Sequence, residues 1–191
     1  MSFGNSRAAS FRRFGLSALI AAALAMFAFA PGASAHVRGS TTLALDPGAA
    51  GALQSLGVSV TPVAPATAGP AGVSFPITGF GGSVWPLALK INHSGGLALS
   101  AGATTVALTD YTIVLSRTPN LVATVNGGPR VSILSLSLRG AHVGFGGGGL
   151  KIGPVKASLT QTAADALNGA FGVTAFTKGL VLGNATVKIG G

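Results

Sequence analysis

The sequence predicts a mainly β protein: a single β-sandwich or open-barrel domain of about nine strands with two short helices. Three observations lead to this prediction. Apolar residues alternate with polar ones over short runs, which is the pattern of strands with one buried face. Thirty glycines and ten prolines separate these runs, as the turns of all-β domains do. Charged residues make up only 8% of the chain, so the chain is too apolar to be a disordered segment.

Residues 1–35 have the pattern of a secretory signal peptide. A positively charged start precedes the uncharged apolar segment 14–30, and residues 33–35 (Ala-Ser-Ala) offer a small-residue cleavage site. A membrane anchor is the alternative, but the apolar segment is at the short limit for a membrane span. We therefore expect general secretion, cleavage before His36, and a single domain of residues 36–191 that is secreted or held in the cell envelope.

Composition excludes several classes of function. The chain has no cysteine, which rules out a disulfide framework, thiol catalysis and cysteine-ligated metals. The basic residues of the expected mature domain are dispersed along the sequence, so no cluster suggests a groove that follows a nucleic acid. The expected partners are an acidic cell-wall polymer or an envelope protein, and contact with a membrane is expected only through an uncleaved signal peptide.

Two short alanine-rich helices follow similar strands. Residues 41–45 alternate as a strand, Asp46 can cap a helix over Pro47–Leu56, and Gly57 can end it. A near-copy occurs later in the chain. Its members are the strand 155–159, the capping residue Thr160, the helix Thr162–Phe171 and the terminating Gly172. The pattern predicts two equivalent strand–helix corners that bracket a sheet.

The remaining segments are predicted to be strands and turns. Segment 62–72 is predicted to be a loop, and Val73–Ile77 an edge strand, because Pro76 cannot donate to a ladder. Residues 85–115 form a meander of three strands.

The C-terminal half continues this pattern. Residues 126–130 predict a hairpin turn between strands 121–125 and 131–138, and 146–149 predict a flexible loop. One or two closing strands are expected over 180–182 and 185–189. The apolar alternation slips between Leu108 and Tyr111 and again between Ile133 and Leu134, which indicates a bulge or burial on both faces.

The meander places one histidine in an ordered context. Trp85, Leu87, Leu89 and Ile91 share one face of a predicted strand, and the same alternation brings His93 to the rim of that face, just before two glycines. His36 and His142 are the other histidines, and no pair has the spacing of a zinc site. Without further information, His93 is best interpreted as a hydrogen-bonded turn residue, and no metal site is expected.

The acidic residues do not suggest catalysis. Asp46 and Asp165 lie at predicted helix starts, where a carboxylate is explained by capping and the helix dipole. Asp110 alone is left, and the chain has no glutamate, so the paired carboxylates of a glycosidase cannot form. No serine stands in a nucleophile-elbow motif. We expect a protein that is not an enzyme.

Four segments resemble a known family. They are Gly82-Ser83-Val84, the stretch HSGGLAL at 93–99, the stretch LTDYTI at 108–113, and Leu121-Val122-Ala123. Together they resemble the HtaA-like haem-binding domain of secreted and surface proteins of Gram-positive actinobacteria. The resemblance implies a β-sandwich-like domain with small helices, exported to the envelope. It also implies that His93 sits beside a haem and supports its ligand.

The sequence departs from this family at the iron ligand. The family's ligand is a tyrosine in an N-terminal helix near an aromatic cluster, but residues 41–62 contain no tyrosine, tryptophan or phenylalanine. Tyr111 is the only tyrosine of the chain and belongs to a different predicted strand. Two hypotheses follow. The favoured one is a non-catalytic envelope protein without a cofactor that acts by surface association; the alternative is a haem-uptake module with His93 and Tyr111 at the haem.

Overall fold

The computed structural model describes residues 39–83, 88–146 and 149–190. The predicted signal peptide, cleavage before His36, and the placement of Trp85 and Leu87 lie outside the described residues and stay predictions.

The described residues form twelve strands and two helices. The strands are β1 (Gly39–Leu45), β2 (Ser59–Val63), β3 (Thr67–Gly69), β4 (Gly72–Ser83), β5 (Ala88–His93), β6 (Gly96–Ala101), β7 (Thr104–Leu115), β8 (Asn120–Val125), β9 (Arg130–Ser137), β10 (His142–Gly146), β11 (Gly149–Leu159) and β12 (Val181–Ile189). The helices are α1 (Pro47–Ser55) and α2 (Gln161–Phe171). None of the helices in these ranges is long and apolar enough to cross a membrane.

Eight of the strands close into a barrel. Their order is β7-β5-β4-β1-β12-β11-β9-β8, and β8 pairs back with β7. Every neighbouring pair is antiparallel. Four further strands extend this barrel. Strand β6 pairs with the first half of β7, and β2 pairs with the other edge of β6. Strand β3 pairs with β4, and β10 pairs with β11. The predicted mainly β domain with two short helices is confirmed. Of the two predicted architectures, a β-sandwich or an open barrel, the structure has a barrel, and this barrel is closed.

The structure has more strands than the sequence predicted. Segment 62–72, predicted to be a loop, contributes the end of β2 and the whole of β3. The predicted glycine-rich loop is part of a hairpin, because Gly146 ends β10 and Gly149 begins β11. Only residues 147–148 between them lie outside the described part.

The predicted edge strand lies inside the barrel wall. Residues 73–77 belong to β4, which pairs with β1 on one side and β5 on the other. Pro76 stands opposite Ser40 of β1, but its main-chain polar groups face β5, where pairing begins only at Ile77, so no ladder bond needs its missing N–H. Its carbonyl accepts the Ser94 N–H at 3.1 Å.

The two predicted strand–helix corners are confirmed and lie at the same end of the barrel. Strands β1 and β11 flank β12 and are both antiparallel to it, so both point the same way. Asp46 caps α1 by accepting the Gly48 and Ala49 N–H groups, and Thr160 caps α2 by accepting that of Ala163. We call this end, where β1 and β11 finish, the helix end, and the opposite end the base.

Local irregularities fall where the alternation slips. Between β7 and β8 the register shifts after Thr109, and Asp110 has a positive φ of 53°. Between β8 and β9 it shifts at Ile133, which leaves Ile133 and Leu134 both buried. Both predicted bulges are therefore confirmed.

The predicted hairpin and closing segment also form. Asn126 and Gly127 take positive φ values of 49° and 70° in the β8–β9 turn, as a tight hairpin requires. The C-terminal segment is one continuous strand, β12, whose Gly183 lies so close to the Ala44 carbonyl that a Cβ would collide with it.

Thr160 should be important for stability because it joins α2 to the barrel. Its hydroxyl accepts the Ala163 N–H at 3.1 Å and donates to the Ser132 carbonyl at 2.7 Å. Thr160→Ala should lower the free energy of unfolding by about 1–2 kcal/mol, measured by urea denaturation. Thr174→Ala, in the exposed segment after α2, is the control and should change it by less than about 0.5 kcal/mol. Equal losses in both variants would contradict the capping role.

Candidate functional site

His93 ends strand β5 and is buried inside the barrel, with 4% of its surface exposed. Its Nδ1 lies 3.2 Å from the Tyr111 carbonyl and its Nε2 lies 2.7 Å from the Thr41 hydroxyl. A carbonyl only accepts, so Nδ1 must donate, and in the neutral ring Nε2 then accepts from Thr41. Burial lowers the pKa of His93, and hydrogen bonds with the Tyr111 and Ile91 backbone act against this. The ring is therefore a neutral cross-link between β1, β5 and β7.

Tyr111 is also buried, with 5% of its surface exposed. Its ring packs edge-on against Phe75, with ring centroids 5.0 Å apart. Burial raises the pKa of the Tyr111 phenol, and an interaction with the Leu97 backbone acts in the opposite direction. Leu108 and Tyr111 are three residues apart, so strict alternation would point their side chains to opposite faces of β7. The bulge at Asp110 adds one residue, and both side chains therefore point into the barrel.

The structure therefore brings His93 and Tyr111 together, but through the main-chain carbonyl of Tyr111. The prediction that His93 lies at the rim of an apolar face needs correction, because the ring is enclosed. The role expected for the following glycines also changes. A Cβ at Gly95 would press on the backbone of Val63 and Ala66, and a Cβ at Gly96 would collide with the Leu108 carbonyl. These glycines permit close backbone packing and do not leave room beside the histidine.

These two residues do not fit a haem iron. An axial ligand needs a free imidazole nitrogen or a phenolate oxygen. Both ring nitrogens of His93 are engaged in hydrogen bonds, and the Tyr111 ring is buried against Phe75. In the described part of the chain, no group of three or more metal-ligating side chains comes together either.

The three carboxylates have separate local contacts. Asp46 caps α1, and Asp165 accepts a hydrogen bond from Gln161 one turn earlier in α2. Asp110 accepts from the Thr109 hydroxyl, while its main-chain carbonyl accepts from Arg130. Each carboxylate thus has a local structural contact: a helix cap, a bond within a helix and a strand bulge.

The barrel encloses a cavity of about 430 Å³. Its lining comes from the barrel strands, from β2 and β6, and from both helices, and it is almost entirely aliphatic. The polar side chains in the lining are Thr41, Tyr111, Asn126 and Thr162. A cavity of this size is within the range of small-molecule sites in proteins.

The base combines exposed apolar and basic side chains. The large apolar residues exposed in the described part are Phe80, Leu89, Leu138, Val143 and Phe145. All five belong to strand ends or connections at the base, as the antiparallel pairings require. The exposed basic residues at the same end are Lys90, Arg117, Arg139, Lys151 and Lys188. The three aspartates lie in α1's cap, the β7 bulge and α2, away from this end.

The sequence reasoning overlooked both the base and the cavity. A local signal for the base exists in His142-Val143-Gly144-Phe145, where apolar residues alternate with glycine beside Lys151. The other members come from five further places, at residues 80, 89–90, 117, 138–139 and 188, and only the closed barrel brings them to one end. No local signal marks the cavity, because each lining residue reads as ordinary core.

Comparisons with solved structures identify the fold. The C-terminal domain of HtaA from Corynebacterium glutamicum superimposes with a TM-score of 0.57 at 15% identity, covering 80% of this chain and 96% of that one. The described part of this chain has the fold of an HtaA domain. The N-terminal domain of the same HtaA gives 0.58 at 14% identity, covering 80% and 97%. No protein-family model and no curated protein matches the sequence.

A third similar structure is a domain-swapped dimer of the C-terminal HtaA domain that carries a histidine-to-alanine change. It gives a TM-score of 0.50 at 15% identity, covering 85% of this chain and 99% of that one. At these identities the likeness shows the HtaA-like fold alone, as the resemblance in the sequence implied.

The buried state of His93 predicts a specific pH dependence. Its pKa in the folded protein lies below the ordinary value of 6.5, so only the unfolded chain takes up this proton as the pH falls below that value. The contribution of neutral His93 to the free energy of unfolding is therefore complete above the pKa that this histidine has in the unfolded chain. It is lost as the pH falls toward the lower pKa of His93 in the folded protein. His93→Gln should reduce the loss of unfolding free energy between about pH 7 and about pH 5.5, measured by urea denaturation.

The matched control is His142→Gln, because His142 is exposed on β10. It should keep the pH dependence of the unchanged protein. A His93→Gln protein whose stability still falls as steeply would show that His93 is not the group responsible.

Proposed function

We propose that this chain is a non-catalytic, HtaA-like module of the cell envelope that docks through its base on an anionic lipid surface and holds no resident cofactor. The observation that carries the proposal is the coincidence of five exposed large apolar side chains and five exposed basic side chains at one end of the barrel.

The charges favour an anionic partner. Lys151 and Lys188 are direct cross-strand neighbours on the outer face of β11 and β12. Like charges directly opposite each other are unfavourable in an isolated sheet, but an anionic surface can neutralise both. Each lysine or arginine near such a membrane contributes roughly 1 kcal/mol of attraction.

The apolar side chains favour a lipid over a hydrophilic cell-wall polymer. Phe145 is 85% exposed and Val143 is 62% exposed on β10. Solvated sugars or phosphates would leave these groups in water, whereas the boundary between headgroups and acyl chains would bury them. Exposed apolar patches rimmed by polar residues are typical of interaction sites.

The absence of a catalytic role is supported by what the titratable groups do. Asp46 caps α1, Asp165 accepts a hydrogen bond inside α2, Asp110 lies at the β7 bulge, and His93 is a neutral cross-link within the barrel. None of them forms the nucleophile–base or acid–base pair that hydrolysis requires.

Vesicle flotation tests the docking surface. The protein should float with vesicles of phosphatidylglycerol and phosphatidylcholine, and much less with phosphatidylcholine alone. Lys151→Glu should weaken binding by about tenfold. Lys178→Glu changes the charge equally but lies just after α2 at the helix end, so it should leave binding unchanged.

Phe145→Ser separates a lipid from a polymer. Its binding to the same vesicles should weaken as well, because the ring no longer enters the interface. A loss on Lys151→Glu with none on Phe145→Ser would contradict the lipid proposal and favour an anionic polymer. Equal effects of Lys151→Glu and Lys178→Glu would contradict a defined docking surface.

Haem titration tests the cofactor proposal separately. Adding haem to the purified protein should give no saturating Soret shift that depends on His93, because both ring nitrogens are engaged. The comparison variant is His93→Ala, whose spectrum should match that of the unchanged protein. A tight Soret shift that is lost in His93→Ala would establish the haem-uptake alternative.

A further inference from the structure

We infer that the barrel interior binds one uncharged single-chain lipid, such as a long-chain alcohol, through an opening at the helix end. The inference concerns the cavity, so it goes beyond docking through the base and stands independently of it. It rests on three features: the space inside the barrel, the chemistry of its walls, and the position of its opening.

The space arises from small inward-facing side chains on β11, β12 and α2. Ala157 and Ala185 are 1% and 8% exposed, and both line the cavity. Ala185 stands directly opposite Val155, and Ala157 stands opposite Gly183. Eight-stranded barrels are either filled by larger side chains or hold one small ligand. The small residues at this part of the wall favour the second arrangement.

The walls select an apolar ligand. No charged side chain is among the residues that line the cavity. Water in such a space would lack the two to four polar partners that hold buried waters, and apolar cavities instead bind apolar molecules. A hydrocarbon chain suits an interior lined by leucine, isoleucine and valine.

Most of the cavity-lining residues that are also exposed to solvent lie at the helix end, and Leu138 at the base is the exception among them. Thr162, Ala166 and Ala170 follow one another at intervals of four residues along one face of α2. Asn126 and Pro129 of the β8–β9 turn are likewise exposed and line the cavity. A chain can therefore enter between α2 and this turn.

The opening also indicates the headgroup. Its polar side chains are those of Thr162 and Asn126, which are both neutral. They can hydrogen-bond to a hydroxyl group but cannot neutralise a carboxylate or phosphate. The guanidinium of the neighbouring Arg130 is not part of the lining, and it donates to the Asp110 carbonyl and the Thr112 hydroxyl. We therefore expect a long-chain alcohol to bind more tightly than the fatty acid of equal length.

Displacement of a fluorescent apolar probe tests this site. N-phenyl-1-naphthylamine should bind the purified protein saturably at one site, and 1-decanol should displace it with at least about tenfold higher affinity than decanoate. Ala166→Trp, which blocks the opening, should weaken probe binding by at least about tenfold. Ala157→Phe, which fills the interior, should do the same.

Two controls make the result specific. Ala52→Trp adds the same ring at an exposed alanine of α1 outside the lining, and Phe145→Ser alters only the base. Both should bind the probe as the unchanged protein does. Since Ala166 is exposed, its variant should fold even if Ala157→Phe does not, and circular dichroism checks this.

Three outcomes would overturn the inference: the absence of saturable binding, an equal loss in Ala52→Trp, or a loss in Phe145→Ser that places the probe at the base. Preference for decanoate would overturn the assignment of an uncharged ligand.

Discussion

The structure depends on the way that β7 changes partners along its length. One edge of β7 pairs with β6 over residues 104–109 and with β5 over residues 112–115, while its other edge pairs with β8. The bulge at Asp110 lies at the change. Three bonds hold it: the Asp110 N–H donates to the Gly95 carbonyl at 3.0 Å, the Asp110 carbonyl accepts from Arg130, and His93 donates to the Tyr111 carbonyl. At this junction one edge of β7 changes partner from β6 to β5 while the other edge stays paired with β8, and the β7–β8 pairing closes the barrel.

Closure of the backbone also explains how the barrel can enclose open space. Creating a cavity of about 430 Å³ in a well-packed core would lower the free energy of unfolding by on the order of 10 kcal/mol. This is comparable to the whole free energy of unfolding of a typical domain. Collapse is opposed here because each wall strand is hydrogen-bonded on both edges. The buried cross-link from Thr41 through His93 to Tyr111 further fixes three strands across the interior. The polar interactions thus set the dimensions of an apolar compartment.

The sequence predicted those features that are encoded locally. Asp46 and Thr160 mark helix starts because capping needs one side chain and the next few N–H groups, and the slips at Tyr111 and Leu134 mark bulges because alternation is a local property. Strand β3 and the inner position of Pro76 were missed because both depend on pairings with distant segments. The sequence identified His93 as a candidate site residue because of its position in a strand. Its burial and its hydrogen-bond partners depend on β1 and β7, which are distant in the sequence. The base and the cavity exist only after the barrel closes.

The two ends of the barrel have different chemistry, and this difference would determine how the proposed activities relate. Five exposed basic and five exposed apolar side chains lie at the base, whereas the opening between α2 and the β8–β9 turn at the helix end is lined by the neutral side chains of Thr162 and Asn126. A protein that rests on a membrane through its base holds this opening away from the bilayer. A lipid chain would then not pass directly from the bilayer beneath the protein into the barrel. It would exchange with the aqueous side or with a second protein there, so docking and ligand exchange could proceed at the same time on one small domain.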